Sequence, residues 1–168
     1  MTSLFSNLTV LVARDAIPER IEQFDDVSEL FDGASSATCM CSARNWMAEG
    51  LGKVAKAYAL SDIAYLAQSA TVLDEGKIAA AIKAITDLLQ KIAGDPALFI
   101  AVTGGTCAET EIAEALDAPT QLPSPECAPD NDSGIEDSPC IIGFLKSHLE
   151  VLKLAQQADS YAIHVLQT

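Results

Sequence analysis

The side chains of this chain best suited to metal or redox chemistry are its five cysteines and two histidines. Cys39 and Cys41 bracket Met40 and have the form of half a thiolate metal site, which Cys107, Cys127, Cys140 and His148 could complete as tetrahedral coordination around zinc. Structural zinc sites repeat a closely spaced ligand pair, whereas the later ligands here are scattered. The cysteines therefore read as reduced buried or loop thiols, with Cys39 and Cys41 kept as the candidate metal or redox residues. His148 and His164 stand sixteen positions apart on an expected final helix and match no catalytic spacing with a nucleophile. They read as surface or satisfied core residues.

Phosphorylation is the second chemistry the residues offer. Ser124 and Ser138 each precede a proline, and Asp132-Ser133-Gly134 followed by Ser138 resembles a stretched phosphodegron of the DSG type. Phosphates on Ser124, Ser133 or Ser138 would add charge and recruit an Arg or Lys pocket on a partner. The neighbouring DNDSGIED run places its glycine one position early for a calcium loop and ends that register on Ile141 instead of a bidentate Glu, so calcium is not expected.

Two glycine clusters suggest phosphate binding and then fail on context. Gly50-Leu-Gly-Lys-Val-Ala55 fits a loose dinucleotide pattern, but the residues before it read as helix where that site needs a strand. Close helix packing explains these glycines better. Gly104 and Gly105 precede Thr106 and could expose N–H groups to an anion, yet no Lys or Arg lies nearby and a helix stop accounts for them.

The elements expected to position these residues are helical. Leu4, Phe5, Leu8 and Leu11 have helical spacing, although Leu8, Val10 and Val12 also alternate. Pro18 to Gly33 predicts a helix through Ile21, Phe24, Val27 and Phe31. Ser42 could cap a third carrying Trp46, Gly50, Val54 and Tyr58, either stopping before Ser61 or running unbroken to Ala70. Ile78, Ile82, Ile85, Leu89 and Ile92 step by four and three residues, the strongest helical pattern, with Gly94 as a stop. Asp95-Pro96 restarts the chain into a short helix ending at Gly104, with LFIAV as a buried strand in competition. Thr106 and Glu109 have capping-box spacing before Ile112 and Leu116, and a last helix is expected from Ile142 through Val165. The predicted fold is an all-α irregular bundle of about five to seven helices in one domain, residues 1–168. Residues 118–139, with five prolines and the acids Glu126, Asp130, Asp132, Glu136 and Asp137 without a base, form a flexible loop.

Charge narrows the partners. Ten Lys and Arg against twenty-four Asp and Glu give a formal charge of −14, which repels a nucleic-acid backbone and suits a basic protein partner. No Lys or Arg occurs from Ile92 through Leu145. No apolar run is long enough to span a bilayer, and the absence of a basic start before Arg14 points to an intracellular protein, cytoplasmic or nuclear. These readings converge on a non-catalytic protein-interaction or regulatory domain without a cofactor, able to associate with itself or another protein through a phosphorylation-controlled acidic loop. An apolar small-molecule carrier built on the Ala79–Ala81 and Ala84 stripe is the alternative, and a Cys-based metal or redox protein the third.

Overall fold

Strand wins over the expected helix in both the first and the last described segments. In the computed structural model, which describes residues 7–16, 40–43, 45–68, 70–120, 122 and 138–166, the segment Asn7–Val12 is strand β1 and Tyr161–Leu166 is strand β4. With β2, Met40–Ala43, and β3, Ala70–Leu73, they form an antiparallel sheet in the order β2-β1-β4-β3. The fold is mainly helical but not all-α.

The reason lies in side-chain parity. Successive strand residues face opposite sides, so Thr9 and Leu11 share a face with their cross-strand neighbours His164 and Ala162, and with Thr71 and Leu73 on β3. Leu11, Leu73 and Ala162 on that face enter the helical core. On the other face Val10, Val12, Ile163 and Val165 are buried as well. A strand with both faces buried reads as a nearly continuous apolar run, and such a run can also satisfy a helical template. That ambiguity explains why the first segment and the end of the last helix were expected to be helical.

Five α-helices are described: α1, Asn45–Ala57; α2, Glu75–Gly94; α3, Pro96–Thr103; α4, Glu109–Asp117; and α5, Ser138–Gln157. A 3-10 helix, Ser61–Ala67, links α1 to β3, so the unbroken helix from Ala43 to Ala70 does not form. A shorter 3-10 turn, Arg14–Ala16, follows β1. Ser42 lies in β2, three residues before α1 begins. The expected stripe of α2 is present, with Ile78, Ile85 and Ile92 buried alongside Ala81, Ala84 and Leu88, and Asp74 caps it by accepting from the Lys77 N–H at 2.9 Å. LFIAV is helical, as Asp95 and Pro96 foretold; Asp95 accepts from Leu98 N at 3.2 Å.

Three helices end in the same hydrogen-bonded turn. Leu60 N bonds Ala55 O, Gly105 N bonds Ile100 O, and Ser160 N bonds Ala155 O, at 2.8, 3.0 and 2.9 Å. In each, the preceding residue is left-handed: Ala59 at φ 54°, Gly104 at 72° and Asp159 at 53°. Asp159 is the turn that stops α5 after Gln157 and sends the chain back as β4. Arg14 secures it by donating to the Asp159 carbonyl at 3.2 Å and to its carboxylate, and by lying 5.2 Å over the Tyr161 ring.

The start of α4 departs from the expected Thr106 box. Glu111 reaches back to accept from Ala108 N at 2.8 Å, and Ala108, whose side chain carries no acceptor, is the N-cap. Its other end is closed from α5. Lys146 Nζ donates to the carbonyls of Ala115 at 3.1 Å, Leu116 at 2.9 Å and Ala118. A cation there satisfies orphan carbonyls and opposes the negative helix end. Lys146→Met, which keeps the stem, is expected to lower unfolding free energy by about 1–2 kcal/mol in urea titration. A loss under about 0.5 kcal/mol would mean that water replaces the ammonium at no cost.

Candidate functional site

The helix-facing side of the sheet carries two polar residues where an apolar pair would be expected, and α5 brings a third to them. Thr9 of β1 stands opposite His164 of β4, and His148 projects from α5 onto both. All three are buried. Thr9 Oγ1 lies 2.8 Å from His164 Nδ1 and 3.3 Å from His148 Nδ1, and Tyr65 of the 3-10 helix places its hydroxyl 2.5 Å from His148 Nε2. Phe144, one turn before His148, stacks on its ring at 5.7 Å and 8°. The two imidazoles meet edge to face with centroids 5.9 Å apart.

The three bonds can carry their hydrogens in either of two directions. In the direction that puts a proton on His164 Nε2, Tyr65 O–H donates to His148 Nε2, His148 Nδ1–H to Thr9 Oγ1, and Thr9 O–H to His164 Nδ1. The Leu66 backbone favours a proton on that ring, which agrees with this tautomer, although Nε2 itself reaches no hydrogen-bond partner. Both rings are neutral. Burial pushes His164 down to about 4, with the Leu66 backbone acting in the opposite sense. Burial, and then repulsion from His164, holds His148 well below 6.5.

An open cleft of about 300 Å³ adjoins this array and shares Tyr65 with it. Its walls include Asp62 and Gln68, Thr71 and Leu73 of β3, and Lys77 and Ala80 of α2. Asp62 and Lys77 make the mouth polar, so this space differs from the enclosed apolar cavity that a carrier requires. The Tyr65 hydroxyl is committed inward to His148. As arranged, the array joins three parts of the fold through neutral hydrogen bonds, and no nucleophile is aligned in it.

Of the serines and cysteines singled out for chemistry by the sequence, Ser138, Cys41, Cys107 and Cys140 are among the described residues. Ser138 opens α5 and is buried, its hydroxyl 2.6 Å from Thr103 Oγ1, which in turn donates to Phe99 O at 2.9 Å. Phosphorylation of Ser138 would require this pair to separate. Ser124, Ser133, the acidic run at 130–137, Cys39, Cys127 and the helix expected over 18–33 lie outside the described residues, as does most of the 118–139 loop. Cys41 is placed only by register, opposite Thr9 in β2. Cys140 is disulfide-bonded, a correction to the expectation of reduced thiols. Among the described residues no cluster of three metal-ligating side chains occurs. Gly50 and Gly52 lie within α1, and a Cβ on Gly52 would make an ordinary contact of 3.5 Å with Ala67 Cβ, so packing there does not require glycine.

The Thr9-Tyr65-His148-His164 array was hidden because its members are far apart in sequence and His164 was assigned to a helix. The available signal was Asp159-Ser160 as a turn followed by the β-branched and aromatic run YAIHVL. Compared with known protein families, curated proteins and solved structures, the chain matches none.

Proposed function

We propose that this chain is a non-catalytic protein-interaction or regulatory domain that receives a basic partner on α4. The observation that carries this reading is the charge of that helix. Glu109, Glu111, Glu114 and Asp117 are exposed while Ile112 is buried on the inner side. Among the described residues none of these four carboxylates forms an ion pair. Lys146, the cation that meets the end of this helix, is committed to its terminal carbonyls.

Helix stability accounts for only half of those acids. Glu109 and Glu111 favour the positive N-terminal end, but Asp117 stands at the negative end, where an acid is unfavourable. A surface that accepts this cost presents an unneutralised field to a Lys- or Arg-rich segment. Phosphates on Ser124 and Ser133 would extend the field and regulate the same encounter.

The test is nuclear magnetic resonance titration with a Lys-rich peptide and a neutral peptide of the same length. Saturable, salt-sensitive shifts centred on α4, lost in E109Q/E114Q/D117N, are expected. Shifts spread over all acidic surfaces, or unchanged by the triple substitution, would sink the assignment.

No helix among the described residues is long and apolar enough to cross a membrane. The disulfide at Cys140 supports an oxidising compartment over the cytoplasmic or nuclear setting expected from sequence. Intact mass under non-reducing conditions separates the two settings by loss of hydrogen for a bridge or gain of phosphate.

A further inference from the structure

We propose that the Tyr65-His148-Thr9-His164 chain is an acid-released latch, which holds the 3-10 segment Ser61–Ala67 against α5 and the sheet and lets it go when one imidazole takes up a proton. The segment enters the latch through the Tyr65 hydroxyl on His148. Its Leu66 backbone also acts on His164. The same segment forms one wall of the cleft, so its release widens that opening.

The proton count makes the latch sensitive. With a proton on His164 Nε2, each of the three bonds in the neutral chain has one donor and one acceptor, and both imidazoles use their lone pair to accept. A proton added to His164 occupies Nδ1, which then competes with the Thr9 hydroxyl hydrogen for the same space. A proton added to His148 occupies Nε2 and reverses the bond to Tyr65. Either addition displaces a buried hydroxyl hydrogen from its acceptor and places a charge in an apolar setting.

Among the described residues, the Leu66 backbone at His164 is the one compensation that charge meets. From β1 the array meets Thr9, from β4 His164, from the 3-10 helix Tyr65 and the Leu66 backbone, and from α5 Phe144 beside His148. Thr71 of β3 is the register neighbour of His164, and Cys41 of β2 that of Thr9. Among the described residues no carboxylate bonds either ring; Asp62, on the same 3-10 helix, is exposed. The two rings disfavour a second proton, so the latch responds to the first.

The sign follows directly. Released imidazoles regain an ordinary value near 6.5, while the latched ones sit below it. The latch is therefore complete above that value and is progressively lost as pH falls toward the latched value of about 4 for His164.

Hydrogen exchange of the full chain at about pH 7 and about pH 5, expressed as protection factors, tests this while the carboxylates stay largely ionised. Amides of 61–68 are expected to lose about tenfold or more in protection, with α2 retained. Tyr65→Phe, which keeps the ring and removes the link, should lower protection of 61–68 already at neutral pH and flatten the response. Unchanged protection of 61–68, an equal loss in α2 that marks general acid unfolding, or a Tyr65→Phe variant that behaves like the parent would each overturn the latch.

Discussion

Thr9→Val is expected to lower unfolding free energy by about 2–5 kcal/mol, one of the two largest effects of a single substitution on this protein. Valine matches threonine in shape, so the core loses no volume, but the Nδ1 atoms of His148 and His164 both lose the hydroxyl that joins them. Each orphaned buried polar group costs about 1–3 kcal/mol, and water does not reach a site where both rings have no exposed surface. Thr9→Ser is the control. It retains the hydroxyl and removes a methyl group, for about 1 kcal/mol. Urea denaturation of the two variants measures the difference; a valine variant no worse than serine would show that the rings find other partners. Replacing both histidines by apolar residues of similar volume together with Thr9→Val and Tyr65→Phe should cost less than Thr9→Val alone, because none of the array's own donors or acceptors is then stranded.

Phe144→Ala should cost about 3–5 kcal/mol, and its effect should extend to proton affinity. The phenyl ring is buried among core residues and covers one face of His148. Its removal leaves a cavity beside a polar ring, and the polar lining admits water. Hydration restores His148 toward the ordinary imidazole value, opposite to the effect of burial in the parent. Phe144→Leu fills most of the space and is expected to lose under about 1.5 kcal/mol with little change in titration. Calorimetry reports the stability, and imidazole C–H shifts followed against pH report the affinity. A large loss of stability with no movement of the His148 titration would show that the stack supplies packing but does not exclude water.

These two substitutions touch parts of the molecule that differ in legibility. The Ile78–Ile92 pattern and the Asp95-Pro96 to Gly104-Gly105 punctuation determined α2 and α3, because a helix made by local hydrogen bonds writes its caps and period into neighbouring residues. The acidity of α4 and the lack of a base around it were also legible, since charge is a property of residues and not of their arrangement.

Tertiary structure decided the sheet and everything built on it. Leu8, Val10 and Val12 satisfied two periods at once, and only pairing with Tyr161–Leu166 made the strand the better solution. A strand obtains its hydrogen bonds from a distant segment, here across almost the whole chain, so its sequence need not record its partner. His148 and His164 looked like two residues of one helix. The left-handed turn at Asp159 places them instead on a helix and on the strand that folds back under it, with Thr9 between them. Individual polar residues could be read as buried or exposed from their local pattern, but their assembly into one hydrogen-bond chain depended on three elements meeting at the same depth.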